Sequence, residues 1–157
     1  MIKIAHPLDS KSCYLQRVKV DSDAKFLFDL LKERDARANI SHKKMPSYNS
    51  HVQFIKSEPY KRWYIIYVRH WIDKPHRYDK EKVGSIYLSK NDEIGIFISK
   101  KFHGKNIGKY ALNELMKKWP RKRFLANVNP KNKKSIQFFK NNNFKLIQYT
   151  FERTEQK

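Results

Sequence analysis

Glu93-Ile94-Gly95-Ile96-Phe97-Ile98-Ser99-Lys100-Lys101-Phe102-His103-Gly104-Lys105-Asn106-Ile107-Gly108-Lys109 is the stretch on which the fold turns. Its first six residues read as a mostly apolar strand. The strand runs into a loop holding Gly104 and Gly108, two of only four glycines in the chain. From Lys109 to Lys118 the residues Ala111, Leu112, Leu115 and Met116 recur at helical spacing, and Pro120 closes the helix. A strand, a glycine loop and a helix in that order present unpaired backbone amides at the positive end of a helix dipole. Such a terminus suits a pyrophosphate. The glycines let the backbone approach an anion, and Lys105 and Lys109 add charge. The same residues also make a tight turn with solvated lysines, and at this level both readings stand.

Working outward, Tyr14–Val20 reads as a strand, and a helix follows over about 22–35, with Ala24, Leu27, Leu30 and Leu31 on one face. Asp21 or Ser22 can cap it. Residues 36–48 are polar, contain Pro46 and read as a loop. A short helix opens at Asn49 or Ser50 and stops near Lys56, before Glu58-Pro59. Arg62–Arg69, Val83–Ser89 and Glu93–Ile98 form an antiparallel meander, with His70–Lys82 as an exposed excursion and Lys90-Asn91-Asp92 as a turn. Beyond the central helix come a strand at Arg123–Val128, a turn at Asn129-Pro130, a helix at Lys134–Asn141 and an alternating last strand at Lys145–Phe151. The expected fold is α/β: one domain over 1–157, with a mixed, mostly antiparallel sheet of six or seven strands flanked by about four helices.

Composition narrows the function. The 157 residues carry 35 Lys or Arg against 15 Asp or Glu, a formal net charge of +20. Residues 100–145 hold 14 of the basic residues and one acid, Glu114. That concentration points to a polyanionic partner: a phosphate-rich cofactor, a nucleotide-linked substrate, nucleic acid or an acidic surface. A merely solvated face is the bland alternative. Ten Phe, nine Tyr and three Trp supply apolar area that a disordered chain lacks. Cys13 is the single cysteine, which excludes an intrachain disulfide and a cysteine-based zinc cluster. No metal is expected. The longest apolar runs, such as Tyr64–Val68, are too short to span a bilayer, and Met1–Pro7 lacks the apolar stretch of a signal peptide. A cytoplasmic chain without a membrane partner is the expectation.

Two motifs carry a resemblance. His103-Gly104-Lys105-Asn106-Ile107-Gly108 resembles the Arg/Gln-x-x-Gly-x-Gly/Ala loop of the GNAT N-acetyltransferases. The run from Asn129 to Phe144, with Asn132, Ser135 and Phe139 inside it, resembles that family's Asn-x-x-Asn-x-x-Ser/Ala…Tyr-x-x-x-Gly-Phe signature. The two lie at the family's separation, with a helix and a strand between them. The resemblance implies the acyl-CoA N-acyltransferase fold and acetyl-CoA as cofactor. It implies that Ile96, Phe97 and Ile98 pair with the pantetheine arm through backbone groups. It further implies that His103, Gly104, Lys105, Asn106, Ile107, Gly108 and Lys109 hold the pyrophosphate, with Asn129 and Asn132 beside them. Acetyl transfer in this family is direct attack of an amine within a ternary complex, so Cys13 is not needed. Three departures stand out. His103 replaces Arg or Gln, and Asn106 and Asn143 replace glycines. Asn is the residue that best keeps a left-handed backbone without being glycine. Phe139 replaces the usual tyrosine and has no proton to donate.

An amine must lose a proton to attack, which calls for a carboxylate, an imidazole or a water chain. The resemblance implies Glu93, at the start of the cofactor strand, and His51, in the short second helix, as the candidate bases. Asn132 is a candidate for holding the reacting amide. Each also has a structural reading: a solvated strand end, a packed helix start and a helix cap. Asp92 is a turn residue first, and Tyr149 reads as a core or groove tyrosine. Tyr60, Trp63, Tyr64, Tyr67 and Trp71 could offer stacking faces or simply fill the core. The acceptor expected first is a small primary amine such as an amino-sugar. A nucleic-acid or protein acceptor comes next, and a non-catalytic basic binding module on the same fold is the third class. A monomer and a homodimer both fit.

Overall fold

The computed structural model describes residues 13–34, 44–71 and 78–155. Its elements are β1 (Cys13–Arg17), α1 (Val20–Lys32), α2 (Tyr48–Lys56), β2 (Arg62–Trp71), β3 (Tyr78–Leu88), β4 (Ile94–Ile98), a 3₁₀ turn (Lys100–Phe102), α3 (Ile107–Lys118) and α4 (Lys133–Asn141). The strands form one antiparallel sheet in the order β1-β2-β3-β4. Side-chain alternation along β2 divides the core in two. Tyr64, Ile66 and Val68 face α3 and join Val83, Ile86, Leu88, Ile94, Ala111, Leu112 and Leu115. Ile65 and Tyr67 face the other way and pack with Ala24, Leu27 and Ile55 of α1 and α2. The result is a sheet with helices on both faces. Among the described residues no helix is long and apolar enough to cross a membrane.

Local chemistry fixes the helix ends. The Lys19 backbone N–H donates to the Asp23 carboxylate at 2.7 Å, which closes the first turn of α1. Ser47 caps α2 by accepting from the Ser50 backbone N–H at 3.1 Å, so this helix begins two residues before Ser50. A register shift opposite Ile66 and Tyr67 skips Val83, which turns into the α3-side core and leaves Lys82 opposite Tyr67 on the α1 face. There the Lys82 ammonium meets the buried Asp23 carboxylate at 2.7 Å.

Two expectations are corrected. The excursion at 70–82 is largely strand: β2 runs to Trp71 and β3 starts at Tyr78. Cross-strand contacts hold this polar hairpin end together, including His70 against Glu81 at 3.1 Å and the Arg69 guanidinium over the Tyr14 and Tyr78 rings. His76 lies outside the described residues, as do much of the 36–48 loop and the side chain of Trp71. The second correction concerns the sheet. It has four strands among the described residues, not six or seven. Residues 123–128 make a single parallel bridge, Glu93 with Leu125, and 145–151 form no strand. A strand needs a partner edge. After Leu125 the chain moves away from β4, and residues 145–151 do not pair along its other side.

The buried Asp23 pairs with Lys82 and closes α1, so Asp23→Ala should lower the unfolding free energy by about 3 kcal/mol. Urea denaturation at neutral pH reads this directly. A loss below about 0.5 kcal/mol, the size of a surface change, would contradict it.

Candidate active site

β4 has one paired edge and one open edge. Glu93, Gly95, Phe97 and Ser99 turn their backbone groups toward β3, as the bonds from Ser89 N–H to the Glu93 carbonyl and from Ser99 N–H to the Val83 carbonyl show. Ile94, Ile96 and Ile98 turn theirs outward. Ile94 N–H donates to the Leu125 carbonyl at 2.7 Å, and Leu125 N–H donates to the Asp92 carbonyl at 2.9 Å. No ladder continues past Leu125. A wedge therefore opens between β4 and residues 126–128, and Ile96 N–H, Ile96 C=O and Ile98 N–H face into it. Phe97 is different: its backbone lies in the β3 ladder, and it can offer only its ring, over which the Arg34 guanidinium sits at 5.4 Å.

The loop after β4 is held from two sides. Glu33, the C-cap of α1, accepts from the Ser99 hydroxyl and from the Lys100 backbone N–H, both at 2.9 Å. This carboxylate caps the 3₁₀ turn, whose Phe102 is buried in the core. His103 Nε2–H donates to the Ile98 carbonyl at 2.8 Å and ties the loop to the open edge of β4. Gly104 follows with φ of 76°, in open space. Asn106 has φ of 58° and stands before α3 as its N-cap without a side-chain cap bond, so the first amides of α3 are left outward. A Cβ on Gly108 would come within 3.1 Å of Phe138, so the glycine there admits α4 against the first turn of α3. Lys105, Asn106, Ile107 and Lys109 also line a cavity of about 210 Å³ that reaches Cys13. That cavity lies on the β1 side of α3, whereas a Cβ on Gly108 in the same turn would come within 3.8 Å of Ile96 on β4.

Glu93 stands at the apex of the wedge. Its carboxylate accepts from Asn127 Nδ2 at 2.9 Å and from the Ser89 hydroxyl at 3.4 Å. On the same face of the sheet the Tyr87 ring lies across Gly95, where a Cβ would come within 2.2 Å of it. Tyr60 stacks on Tyr87 with centroids 3.7 Å apart, and Trp63 and Phe54 meet Tyr60 edge-on. Burial, and then the neighbouring Tyr60, push the Tyr87 phenol far above its usual range, so it stays a neutral hydroxyl. Asn127, Tyr87 and Glu33 are contributors that sequence reasoning missed. The facing of Tyr87 and Gly95 becomes visible only once the strand register is known.

The other candidates sit elsewhere. His51 is buried between α2 and α1, hydrogen-bonded to the Ala24 backbone, beside the Phe28 ring, and its Nε2 has no partner. Burial lowers its pKa, so it is a neutral core histidine. Asn132 caps α4: its Oδ1 accepts from Ser135 N–H at 3.1 Å, and its own N–H donates to the Asn129 carbonyl at 2.8 Å. Its Nδ2 hydrogens and the second lone pair of Oδ1 remain to meet a ligand. Asn129 Oδ1 accepts from Lys131 N–H. Phe139 is buried against Phe138 and Phe144. Tyr149, expected in core or groove, is exposed. Asp92 (φ 62°) holds the turn and accepts from Arg121 Nε at 2.9 Å.

Comparison with known proteins agrees with this fold. The acetyltransferase (GNAT) family profile matches residues 38–144, more than half of the chain. A domain from Methanocaldococcus jannaschii DSM 2661 superposes with a TM-score of 0.73 at 21% identity, covering 89% of this chain and 92% of that one. The ribosomal L7/L12 alpha-N-protein acetyltransferase RimL, solved in complex with coenzyme A, gives 0.64 at 16% identity over 90% and 84%. The microcin C7 self-immunity acetyltransferase MccE, solved with acetyl-CoA and AMP, gives 0.55 at 16% identity over 80% and 74%. Among curated proteins no sequence match is found.

The burial of neutral His51 has a consequence for stability. Its folded pKa lies below the unfolded value of about 6.5, so the unfolded chain takes up the proton first and stability falls as the solution becomes more acidic than that value. The urea midpoint should drop between pH 7 and pH 5, and His51→Phe should flatten that drop. Equal slopes for both proteins would show that His51 is not held neutral by burial.

Proposed function

The chain belongs to the GNAT acetyltransferase family, and on that premise we propose that it acts as a single-domain N-acetyltransferase on a small primary amine, with acetyl-CoA as donor. The observation that carries this reading is the wedge beside β4 with a carboxylate at its apex and a helix N-terminus at its mouth. The residues fit the coenzyme. An extended pantetheine arm needs strand-like partners, and the Ile96 N–H and C=O and the Ile98 N–H face outward on an edge that no strand covers among the described residues. A pyrophosphate needs amides and cations, and the loop from Gly104 to Lys109 supplies both without a side chain in the way at Gly104.

Acetyl-CoA supplies an acetyl carbon activated as a thioester, which exchanges its C–S bond for a C–N bond to the acceptor. Glu93 takes the proton that the attacking amine gives up, directly or through one water. Asn127 orients the Glu93 carboxylate through its Oε1. Outward backbone N–H groups of β4 stabilise negative charge on the acetyl oxygen. Phe139 has no proton to give, so the proton that the coenzyme thiolate would take up comes from another group or from water. The Tyr60–Tyr87 stack forms a flat aromatic wall on the Glu93 side of the sheet, suited to an acceptor with a ring face such as an amino-sugar. A second reading, an acceptor linked to nucleic acid or protein, is favoured by the 14 basic residues between 100 and 145.

Thiol release with a panel of amines tests the proposal. Glu93→Gln should lower kcat by about 10²–10⁴ while leaving acetyl-CoA binding unchanged. An unchanged kcat would remove Glu93 as the base, and no release with any amine would remove the reading. Glu33→Ala frees the loop from α1 and should raise KM for acetyl-CoA about tenfold with little change in kcat, since a hydrogen bond to a charged group contributes about 1.5 kcal/mol. A KM unchanged within twofold would contradict that role.

A further inference from the structure

Arg17 closes β1, Arg62 opens β2, Asp92 precedes β4 and Lys118 ends α3, and all four meet at one end of the sheet. The Trp119 indole N–H donates to the Tyr64 hydroxyl at 2.9 Å, and the Lys118 ammonium lies 5.5 Å over the Tyr64 ring. The Arg62 guanidinium lies 4.4 Å over the Trp119 ring. Arg17 stands opposite Tyr64 in the ladder, so its side chain leaves the same face of the sheet as Arg62. Its Nη2 donates to the Lys61 carbonyl at 3.2 Å. After α3 the chain passes from Trp119 at β2 to Arg121, which meets Asp92 at 2.9 Å, and then to Leu125 beyond β4. Exposed Lys122 and Arg123 lie on that path.

The result is a basic rim across the sheet end, from β1 to the far side of β4. A strand spacing of about 4.8 Å makes it about 19 Å long. Among the described residues no carboxylate pairs with Arg17, Arg62, Lys117, Lys118, Lys122 or Arg123. Asp92 is taken by Arg121, Glu114 lies one turn up α3, and residues 115–151 hold no acid. On the proposed reading of the wedge, the coenzyme does not account for this charge. The pyrophosphate loop stands at the start of α3, and 12 residues of helix put Lys118 about 18 Å from it. The rim lies instead at the Glu93 end, where the thioester and not a phosphate belongs.

We propose that this rim is a docking surface for duplex nucleic acid, held through its phosphates. At about 3.4 Å of rise per phosphate along one strand, the rim spans five to six of them. The Arg17 and Arg62 guanidiniums, one bonded to a carbonyl and one stacked on an indole, are set in place for phosphate oxygens. Arg62 Nε has no hydrogen-bond partner, so the ring beneath it, not a carboxylate, holds this side chain. Trp119 and Tyr64 are covered by Arg62 and Lys118, which leaves an unpaired base no ring of theirs to stack on. None of the rim segments carries an exposed large apolar side chain. An anionic bilayer would therefore be held by charge alone, and an acidic protein would find no apolar anchor. Docking here does not require that the acceptor itself be attached to nucleic acid.

Fluorescence anisotropy of the full chain with labelled duplex DNA, duplex RNA and a single strand of equal length tests this. Between about 0.05 and 0.2 M salt, log K for duplex should fall against log salt with a slope of about −4 to −5. Lys117→Gln, Lys122→Gln and Arg123→Gln together should make that slope shallower by about 2.7 and weaken binding about 10²-fold at ~0.15 M salt. All three positions are exposed and unpaired, so circular dichroism and the urea midpoint should stay those of the wild type. Lys131→Gln, Lys133→Gln and Lys134→Gln together remove the same charge from the start of α4 and should weaken binding less than about fivefold, since they lie beyond the ~8 Å screening length. Binding of either duplex supports the proposal, and the tighter one identifies the ligand. No duplex binding at ~0.15 M salt would overturn it. So would a single strand bound more tightly than both duplexes, equal losses in the two triple variants, or retention on phosphatidylserine vesicles with none on duplex. Neither coenzyme nor amine is added, so failure here leaves the proposed reaction standing, and failed thiol release leaves the rim.

Discussion

Two hydrogen bonds at Leu125 set the geometry on which the site depends. They join residue 125 to Ile94 and Asp92 and end the contact between β4 and the chain that follows α3. Had the parallel ladder continued, Ile96 and Ile98 would be paired and no ligand could lie along them. Had it not begun, Glu93 would be a loose strand end. Asp92 makes the junction possible by accepting a positive φ that most residues avoid, while its carboxylate takes the Arg121 guanidinium on the same side. The apex is thus fixed by backbone bonds, a turn and an ion pair. The wedge is a consequence of the chain parting beyond it.

The loop that closes the wedge at its other end is positioned by elements far away in sequence. Glu33 reaches it from the end of α1, Phe102 roots it in the α3-side core, and His103 bonds it to Ile98. The His103 bond gives a physical reason for a histidine at this position. The imidazole spends its Nε2–H on a carbonyl of the open edge and so sets the loop against β4. The α1–α2 layer is in this way mechanically joined to the loop before α3.

Much of this was legible in the sequence. The strand–loop–helix of 93–118 follows from apolar patterning and two glycines. Asn106 and Asn143 do keep the left-handed backbone that the sequence suggested for them. The short second helix and the meander came from spacing and turn residues. The failures share a cause: they depend on long-range pairing. Residues 123–128 and 145–151 have strand composition, but composition does not say whether a partner edge is present. The polar hairpin end at 78–82 reads as loop, and only opposition to β2 makes it strand. His51 and Glu93 were equal candidates as residue types. Packing separated them, by sealing one ring against Ala24 and Phe28 and placing the other side chain at the wedge. Asn127 and Glu33 carry no local signal, since their roles exist only through contacts 34 and 66 residues away in the chain.

The central claim is that the open edge of β4 and the loop at the start of α3 together bind acetyl-CoA. Calorimetric titration of protein freed of nucleic acid by high salt measures it most directly. The account predicts one-site binding, with Gly104→Val, which puts a branched side chain on a left-handed backbone, weakening it at least tenfold. Absence of binding by clean, folded protein would contradict the account, because the wedge and the loop would then have lost the ligand their geometry fits.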